Sequence, residues 1–285
     1  MLASFADLER PPLSAAAARR ALVRPGSPWT DVCVVAETAS TNADVVAAAR
    51  AGAPAGLVRV AEHQTGGRGR LGRSWQAPPR SGLTLSVLVR PDVPAERWPW
   101  LPLLAGVAVA EACRRTARVD AVLKWPNDVL IGERKLAGVL AERVEHHAGT
   151  AAVLGIGLNV SLHEAELPQR QATSLAIAGA STLDRAVLLR AVLRALGSLL
   201  AAWEAAAGDP AAGRPGLHAS YTRRCVTLGR LVRVERPAGT MVTGRAVEVD
   251  AGGRLVVQDT DTGARQVLGA GDVVHVRSDG PTGRA

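Results

Sequence analysis

Between Glu62 and Trp75 the chain reads Glu-His-Gln-Thr-Gly-Gly-Arg-Gly-Arg-Leu-Gly-Arg-Ser-Trp, four glycines (Gly66, Gly67, Gly69, Gly72) interleaved with three arginines (Arg68, Arg70, Arg73). Glycine lets a backbone bend closely round a ligand, and each guanidinium adds fixed positive charge with a fork of donors. That pairing suits a small anion. Gly-x-x-x-x-Gly-Lys-Ser/Thr is absent and no helix pattern follows at once, which rejects both a P-loop and a dinucleotide fingerprint. Taken alone, the run is equally well a flexible basic surface loop, and its surroundings decide between the two.

Lysine usage is the second signal. Of 34 basic Lys and Arg residues only Lys124 and Lys135 are lysines, eleven positions apart. A chain that otherwise uses arginine keeps lysine where a compact ammonium on a flexible stem is needed. Lys124 opens Lys-Trp-Pro-Asn-Asp128, a turn signature. Lys135 heads the apolar run Lys-Leu-Ala-Gly-Val-Leu140, where a lysine is costly unless an anion pairs with it. Ser40-Thr-Asn42 stands before a helical pattern, either as a cap or as the binding head for a polar ligand group. Asn159, closing Gly155-Ile-Gly-Leu-Asn, offers donor and acceptor to a base or ribose, and Gly157 permits close backbone approach.

The elements that must hold these groups follow from periodicity. Apolar or alternating runs predict strands over 32–36, 57–61, 83–89, 121–124, 151–156 and a hairpin over 129–144. Helices are predicted over 14–22, 43–50, 99–116 and 183–207, the last with Leu189, Leu193, Leu196, Leu200 and Trp203 facing the core, and a further one ending near Arg224. From Val226 onward the pattern changes to short strands (231–235, 244–249, 255–259, 273–277) with the turn Asp250-Ala-Gly-Gly253, which reads as a small β-barrel-like domain. The divisions are therefore 1–28 lead-in, 29–224 main domain, 225–278 C-terminal domain and 279–285 tail.

Composition limits the function classes. A 47% hydrophobic content over 285 residues supports a substantial core. No apolar run is expected to span a bilayer, and no signal core opens the chain, so a cytoplasmic protein without a membrane is expected. Cys33, Cys113 and Cys225 lack metal-ligand spacing and read as small buried side chains. His146 and His147 beside Glu145 read as a solvated turn, since adjacent residues seldom converge on one ion. The net charge of +8 invites a nucleic-acid reading, yet the arginines are dispersed and one Phe and one Tyr supply few stacking platforms.

In order and spacing, Ser40-Thr-Asn42, Gln64 to Arg73, Lys124 to Asp128, Lys135-Leu-Ala-Gly138 and Gly155 to Asn159 resemble the motif set of biotin protein ligases. The resemblance covers residues from about 32 to 278. It implies an α+β fold, a central mixed β-sheet with helices on one side (class II aminoacyl-tRNA synthetase/biotin ligase-like), followed by a small C-terminal SH3-like β-barrel. It also implies an activity: biotin and MgATP give biotinoyl-5′-AMP and pyrophosphate, and biotin then passes to one lysine of a biotin carboxyl carrier domain of an acyl-CoA carboxylase. On this resemblance Ser40, Thr41, Asn42 and Gln64 meet the ureido ring, with Gly67, Gly69 and Gly138 also at the biotin site. Arg68, Arg70 and Lys135 meet carboxylate and phosphate, Arg73 and Asn159 the nucleotide, and Trp75 the adenine. Lys124 and Asp128 join the catalytic set, Asp128 binding Mg²⁺ or orienting the acceptor lysine.

A lead-in of about 28 residues is too short for the DNA-binding domain of family members that also repress transcription, so no nucleic-acid partner is expected; monomer and homodimer both stay open. Two rivals remain: a ligase for lipoate or octanoate on the same kind of fold, and a non-enzymatic nucleic-acid binder using the Gly/Arg loop. The second leaves both lysines and the Trp-Pro-Asn-Asp turn unexplained.

Overall fold

The computed structural model describes residues 10–145, 149–236, 239–269 and 271–276, so the readings of His146, His147 and the tail 279–285 fall outside the described residues. Seven strands form the main sheet: β1 (Asp31–Val35), β2 (Leu57–Ala61), β3 (Gly82–Val89), β4 (Val122–Lys124), β5 (Asp128–Ile131), β6 (Arg134–Val144) and β7 (Ala151–Asn159). They lie in the order β1-β2-β3-β7-β6-β5-β4. β1 and β2 pair in parallel and the other neighbours antiparallel, which makes the sheet mixed. β7 is buried at every position, as a central strand covered on both faces requires. It runs on to Asn159, so Gly155 and Gly157 lie within the strand and not after it.

Five α-helices stand among the described residues: α1 (Ala15–Leu22), α2 (Thr41–Arg50), α3 (Trp100–Ala112) and α4 (Arg185–Ala205) against this sheet, and α5 (Leu217–Thr222) against α3. Apolar residues all round α3 leave it no solvent face, and nearly all of it is buried. α4 buries the stripe expected of it, Leu189, Leu193, Leu196, Leu200 and Trp203. By length and composition α4 is apolar enough to cross a membrane, contrary to the expectation that no stretch is. Its buried stripe and the arginines at 185, 190 and 194 fit a core helix instead.

Strand alternation shows which face each helix covers. Leu83, Leu85, Val87 and Val89 of β3 join the core built with α3 and α4, whereas Leu88 joins Val45 and Ala49 of α2. Helices therefore lie on both faces, a correction to the one-sided arrangement. On the α2 face, pairing register sets Thr84, Gly157 and Gly138 in one row across β3, β7 and β6. Ser86, Gly155 and Leu140 form the next row, and Leu88, Val153 and Glu142 the third. α2 covers the third row and reaches the second through Asn42, which lies over Gly155, while the Trp75 indole lies over Gly157 in the first.

The C-terminal strands β8 (Leu231–Glu235), β9 (Met241–Val249), β10 (Leu255–Gln258), β11 (Arg265–Leu268) and β12 (Asp272–His275) form an antiparallel sheet ordered β11-β10-β9-β8-β12. Among the described residues no pairing closes β11 onto β12, so the expected barrel is an open sheet. β11 escapes sequence reading because three of its four residues are exposed and it has no apolar face. The β9–β10 turn docks on the main domain: Trp100 Nε1 donates to Ala251 O at 2.9 Å and Trp125 Nε1 to Gly253 O at 3.0 Å.

A buried ion pair anchors the start of the Gly/Arg loop. Arg185 and Glu62 pair with side chains only 5% and 8% exposed. Arg185 also donates to Pro11 O at 2.6 Å, and Leu13 N–H to Glu62 Oε1 at 2.5 Å, so one pair joins α4, β2 and the lead-in. Removing one partner strands a buried charge: Glu62→Ala should lower unfolding free energy by about 3–5 kcal/mol in urea titration. A loss under about 1 kcal/mol, the size of an exposed pair, would contradict this anchoring.

Candidate active site

The Gly/Arg loop folds as a narrow hairpin rather than a free strand of chain. Trp75 N–H donates to Gly67 O at 2.9 Å and Gly69 N–H to Arg73 O at 2.6 Å. The tip turns through Leu71 and Gly72, both at positive φ, 54° and 75°, the second a position that glycine occupies without strain. At its base, Thr65 and Gly66 donate to the carbonyls of Thr38 and Ala39 at 3.0 and 2.9 Å. The loop and the start of α2 are thus held edge to edge.

Between them lies a cavity of about 530 Å³. One end is neutral and polar, with Ser40, Thr41, Asn42 and Gln64. The other is charged, with Arg68, Arg70, Arg73, Asp128 and Lys135. Gly138, Gly155 and Gly157 supply the floor between them. The absence of side chains there is required: a Cβ at Gly155 would lie 2.1 Å from Asn42 Oδ1, and one at Gly157 2.4 Å from the Trp75 indole.

At the neutral end, Ser40 caps α2, its Oγ accepting from Ala43 N–H at 3.4 Å. Gln64 Oε1 accepts the Thr41 N–H at 2.8 Å and lies 3.0 Å from Thr41 Oγ1. Asn42 is committed to protein partners: its Nδ2 donates to Glu142 Oε2 at 2.6 Å and its Oδ1 lies 2.6 Å from Ser86 Oγ. Ser86 and Glu142 were not among the residues read from the sequence. Ser86 had a signal, since Thr84 and Ser86 are polar at alternate positions of an apolar strand and so share one face.

At the charged end, Lys135 Nζ pairs with Asp128 Oδ1 at 2.6 Å and stands 5.8 Å from the centre of the Trp75 ring. Arg70 Nη1 donates to Asn127 Oδ1 at 3.2 Å. Burial holds the Arg70 guanidinium below its ordinary pKa, opposed by Asp128 and reinforced by Arg73. Lys124 does not line this cavity. It faces an adjoining groove toward the C-terminal sheet, which shares Arg73, Asp128, Lys135 and Gln169 with the cavity. Burial lowers the Lys124 pKa, against the pull of Asp128 and with added push from Lys135 and Arg73. His275 in the same groove is pushed down to about 4, first by burial and then by Lys124 and Arg230, which keeps it neutral near pH 7.

Asn159 lines the cavity with its amide donating to Thr173 O at 2.9 Å, and Gly69 lines it too, while Gly67 supports the hairpin from behind. Cys113 and Cys225 are buried, Cys113 with its thiol pushed up to about 12, and Cys33 is half-buried. No group of three or more His, Cys, Asp or Glu converges among the described residues. Asp128 is the carboxylate that lines the cavity.

Comparison with known proteins agrees with this arrangement. The biotin/lipoate A/B protein ligase family pattern matches residues 35–159, and that of the biotin protein ligase C-terminal domain matches 227–276. The biotin–[acetyl-CoA-carboxylase] ligase of Mycobacterium tuberculosis is 44% identical over 277 residues, 95% of this chain and 98% of that protein. The bifunctional ligase/repressor BirA of Bacillus subtilis is 38% identical over 145 residues, 50% of this chain and 45% of that protein. Among solved structures, the Aquifex aeolicus biotin protein ligase in complex with biotin and ATP superposes with a TM-score of 0.71 and 28% identity, covering 88% of this chain and all of that one. The Leishmania major biotin protein ligase in complex with biotinyl-5-AMP gives 0.57 at 25% identity, covering 85% of this chain and 99% of that one. A cavity with a hydrogen-bonding end and a cationic end, on a fold and sequence shared along nearly the whole chain, makes this protein a member of the biotin protein ligase family.

Proposed function

We propose that the chain forms biotinoyl-5′-AMP from biotin and MgATP and then transfers biotin to a lysine of a carboxylase's biotin carboxyl carrier domain. The observation that carries this reading is the single cavity with its two chemically distinct ends. A neutral polar end takes a ureido ring, which offers N–H donors and a carbonyl acceptor. A cationic end takes the carboxylate and the phosphate. Residues 29–224 then serve as the catalytic domain and 225–278 as the SH3-like C-terminal domain. A cytoplasmic location, expected from the sequence, is part of the same reading.

In the first half-reaction a carboxylate oxygen attacks the α-phosphorus and pyrophosphate leaves. Two anions approach each other, and cations fixed in place beforehand stabilise the added charge. Lys135 and Arg70 serve the carboxylate and α-phosphate, Arg68 closes over them, and Arg73 and Lys124 face the departing pyrophosphate. Trp75 and Asn159 take the adenine and ribose. Mg²⁺ suits this site as a companion of ATP: one carboxylate with substrate phosphates is a common magnesium environment, and Asp128 is the carboxylate available. In the second half-reaction the acceptor amine attacks the acyl carbonyl and AMP leaves. Asp128, released when phosphate claims Lys135, then draws in the incoming lysine.

The test is ATP-pyrophosphate exchange with biotin, lipoate, octanoate or no acid. Exchange that requires biotin and stops on chelation of Mg²⁺ is expected; exchange with lipoate or octanoate alone would move the substrate class. Lys135→Ala should slow biotin-dependent exchange by roughly 100-fold, the size of losing one preorganised charge partner, and unaltered turnover would remove its role. Arg68→Gly should release the adenylate into solution, read as labelling of bystander lysines on added albumin. Retention as tight as in the unaltered protein would refute closure by the loop.

A further inference from the structure

The neutral end of the cavity is backed by a chain of contacts that begins at a carboxylate outside the cavity lining. Glu142 Oε2 accepts from Asn42 Nδ2 at 2.6 Å. Ser86 Oγ lies 2.6 Å from Asn42 Oδ1 and 2.7 Å from Thr41 Oγ1. Gln64 Oε1 accepts the Thr41 N–H at 2.8 Å.

Hydrogen-bond capacity fixes the direction of every link. A carboxylate has no proton to give, so Asn42 must turn its NH₂ toward Glu142 and its carbonyl toward Ser86. A carbonyl only accepts, which commits the single Ser86 proton to Asn42. The Ser86–Thr41 contact at 2.7 Å then requires the Thr41 proton, which goes to Ser86 in preference to Gln64 Oε1 at 3.0 Å, and Thr41 Oγ1 keeps both lone pairs for the cavity it helps to line. At the far end a backbone N–H, always a donor, holds Gln64 by its oxygen and leaves the Gln64 NH₂ to donate elsewhere. The cavity therefore presents an acceptor at Thr41 beside a donor at Gln64. A cyclic urea carries the complementary pair, an N–H beside a carbonyl.

We propose that Glu142 is a positioning residue that sets the donor and acceptor pattern of the biotin ring pocket without touching the ligand, an inference that rests on the biotin reading above. Without Glu142 the Asn42 amide turns over freely. Its NH₂ can then face Ser86, the Ser86 proton moves to Thr41 Oγ1 and occupies a lone pair there, and the Thr41 proton turns to Gln64 Oε1, 3.0 Å away. Thr41 is left a poorer acceptor, and the pocket loses part of its preference for a ring N–H over a group without a proton at the position facing Thr41.

The experiment compares biotin with its cyclic carbamate analogue, in which the ring N–H facing Thr41 is replaced by an oxygen, in ATP-pyrophosphate exchange by Glu142→Ala and Glu142→Gln. In Glu142→Ala the ratio of kcat/KM for biotin to that for the carbamate analogue should fall by about tenfold, the scale of one mismatched buried hydrogen bond. KM for biotin should rise while KM for ATP stays near that of the unaltered protein. Glu142→Gln keeps a carbonyl acceptor and should lose less of the ratio, and it carries the test if the alanine variant does not fold. A ratio unchanged in both variants overturns the inference, because a merely structural role would weaken both substrates alike. Absence of biotin-dependent exchange in the unaltered protein would instead overturn the biotin reading itself.

Discussion

Repulsion between two anions is the constraint that shapes this site. At 4 Å, unit charges interact by about 4 kcal/mol at the effective dielectric of a protein surface, and a carboxylate must come closer than that to a triphosphate. The chain answers with Arg70, Arg73 and Lys135 around one carboxylate, Asp128. Cations so crowded repel one another before substrate arrives, and this adds to burial, the larger cause, in lowering the pKa values of Lys124 and Arg70. The Lys135–Asp128 pair at 2.6 Å relieves part of that strain in the free protein. The pair is only about three-quarters buried, with side chains 26% and 22% exposed, so a stronger anion competes for the ammonium at moderate cost. A deeply buried pair such as Arg185 with Glu62 could not exchange partners that way, and that pair sits in the scaffold, away from the reacting groups.

The second requirement is closeness. A ligand between a loop and a sheet needs a floor without side chains, and the register of β3, β7 and β6 brings Gly157 opposite Gly138 and Gly155 beside Leu140. Glycines inside strands weaken a sheet when exposed, yet β7 is the most deeply buried strand and is paired on both edges. The sheet accepts glycine where its neighbours hold the backbone in place, and the cleared space goes to the Asn42 amide over Gly155 and the Trp75 indole over Gly157, two side chains that line the cavity.

Much of this was legible before any coordinates. The Gly/Arg run, the two lysines, Ser40 to Asn42 and Asn159 stand in or beside the same cavity, because each is a residue type that its local environment would not otherwise favour. Groups whose meaning depends on register were not legible. Glu142 looks like an ordinary outward residue of a hairpin until pairing with Val153 puts it on the α2 face, opposite Asn42. The same applies to the direction of Asn42, which the sequence offers as a ligand contact and the structure commits to Glu142 and Ser86. The strand β11 was missed because it is mostly exposed and has no apolar face, and the two-sided placement of helices because exposure pattern alone does not say which face of a sheet a helix reaches.

The C-terminal sheet also acquires a physical role from these contacts. Asp128 sits at the end of a turn, and a turn on an edge strand has little to hold it. Here β4, the edge, is flanked by the segment entering the C-terminal sheet: Leu123 N–H donates to Arg224 O, and Val226 N–H to Leu123 O, both at 2.8 Å. Thr227 Oγ1 accepts the Trp125 N–H at 3.0 Å, and the Trp125 indole is locked to Gly253 O. From the other side of the cavity, Arg70 Nη1 lies 3.5 Å from Gly271 O. The turn that carries Asp128 and the loop that carries Arg70 are thus both braced by the C-terminal sheet. Asp128 and Arg70 gain a common reference frame from it, so a domain that supplies none of the described residues lining the cavity still determines how accurately these two groups are placed.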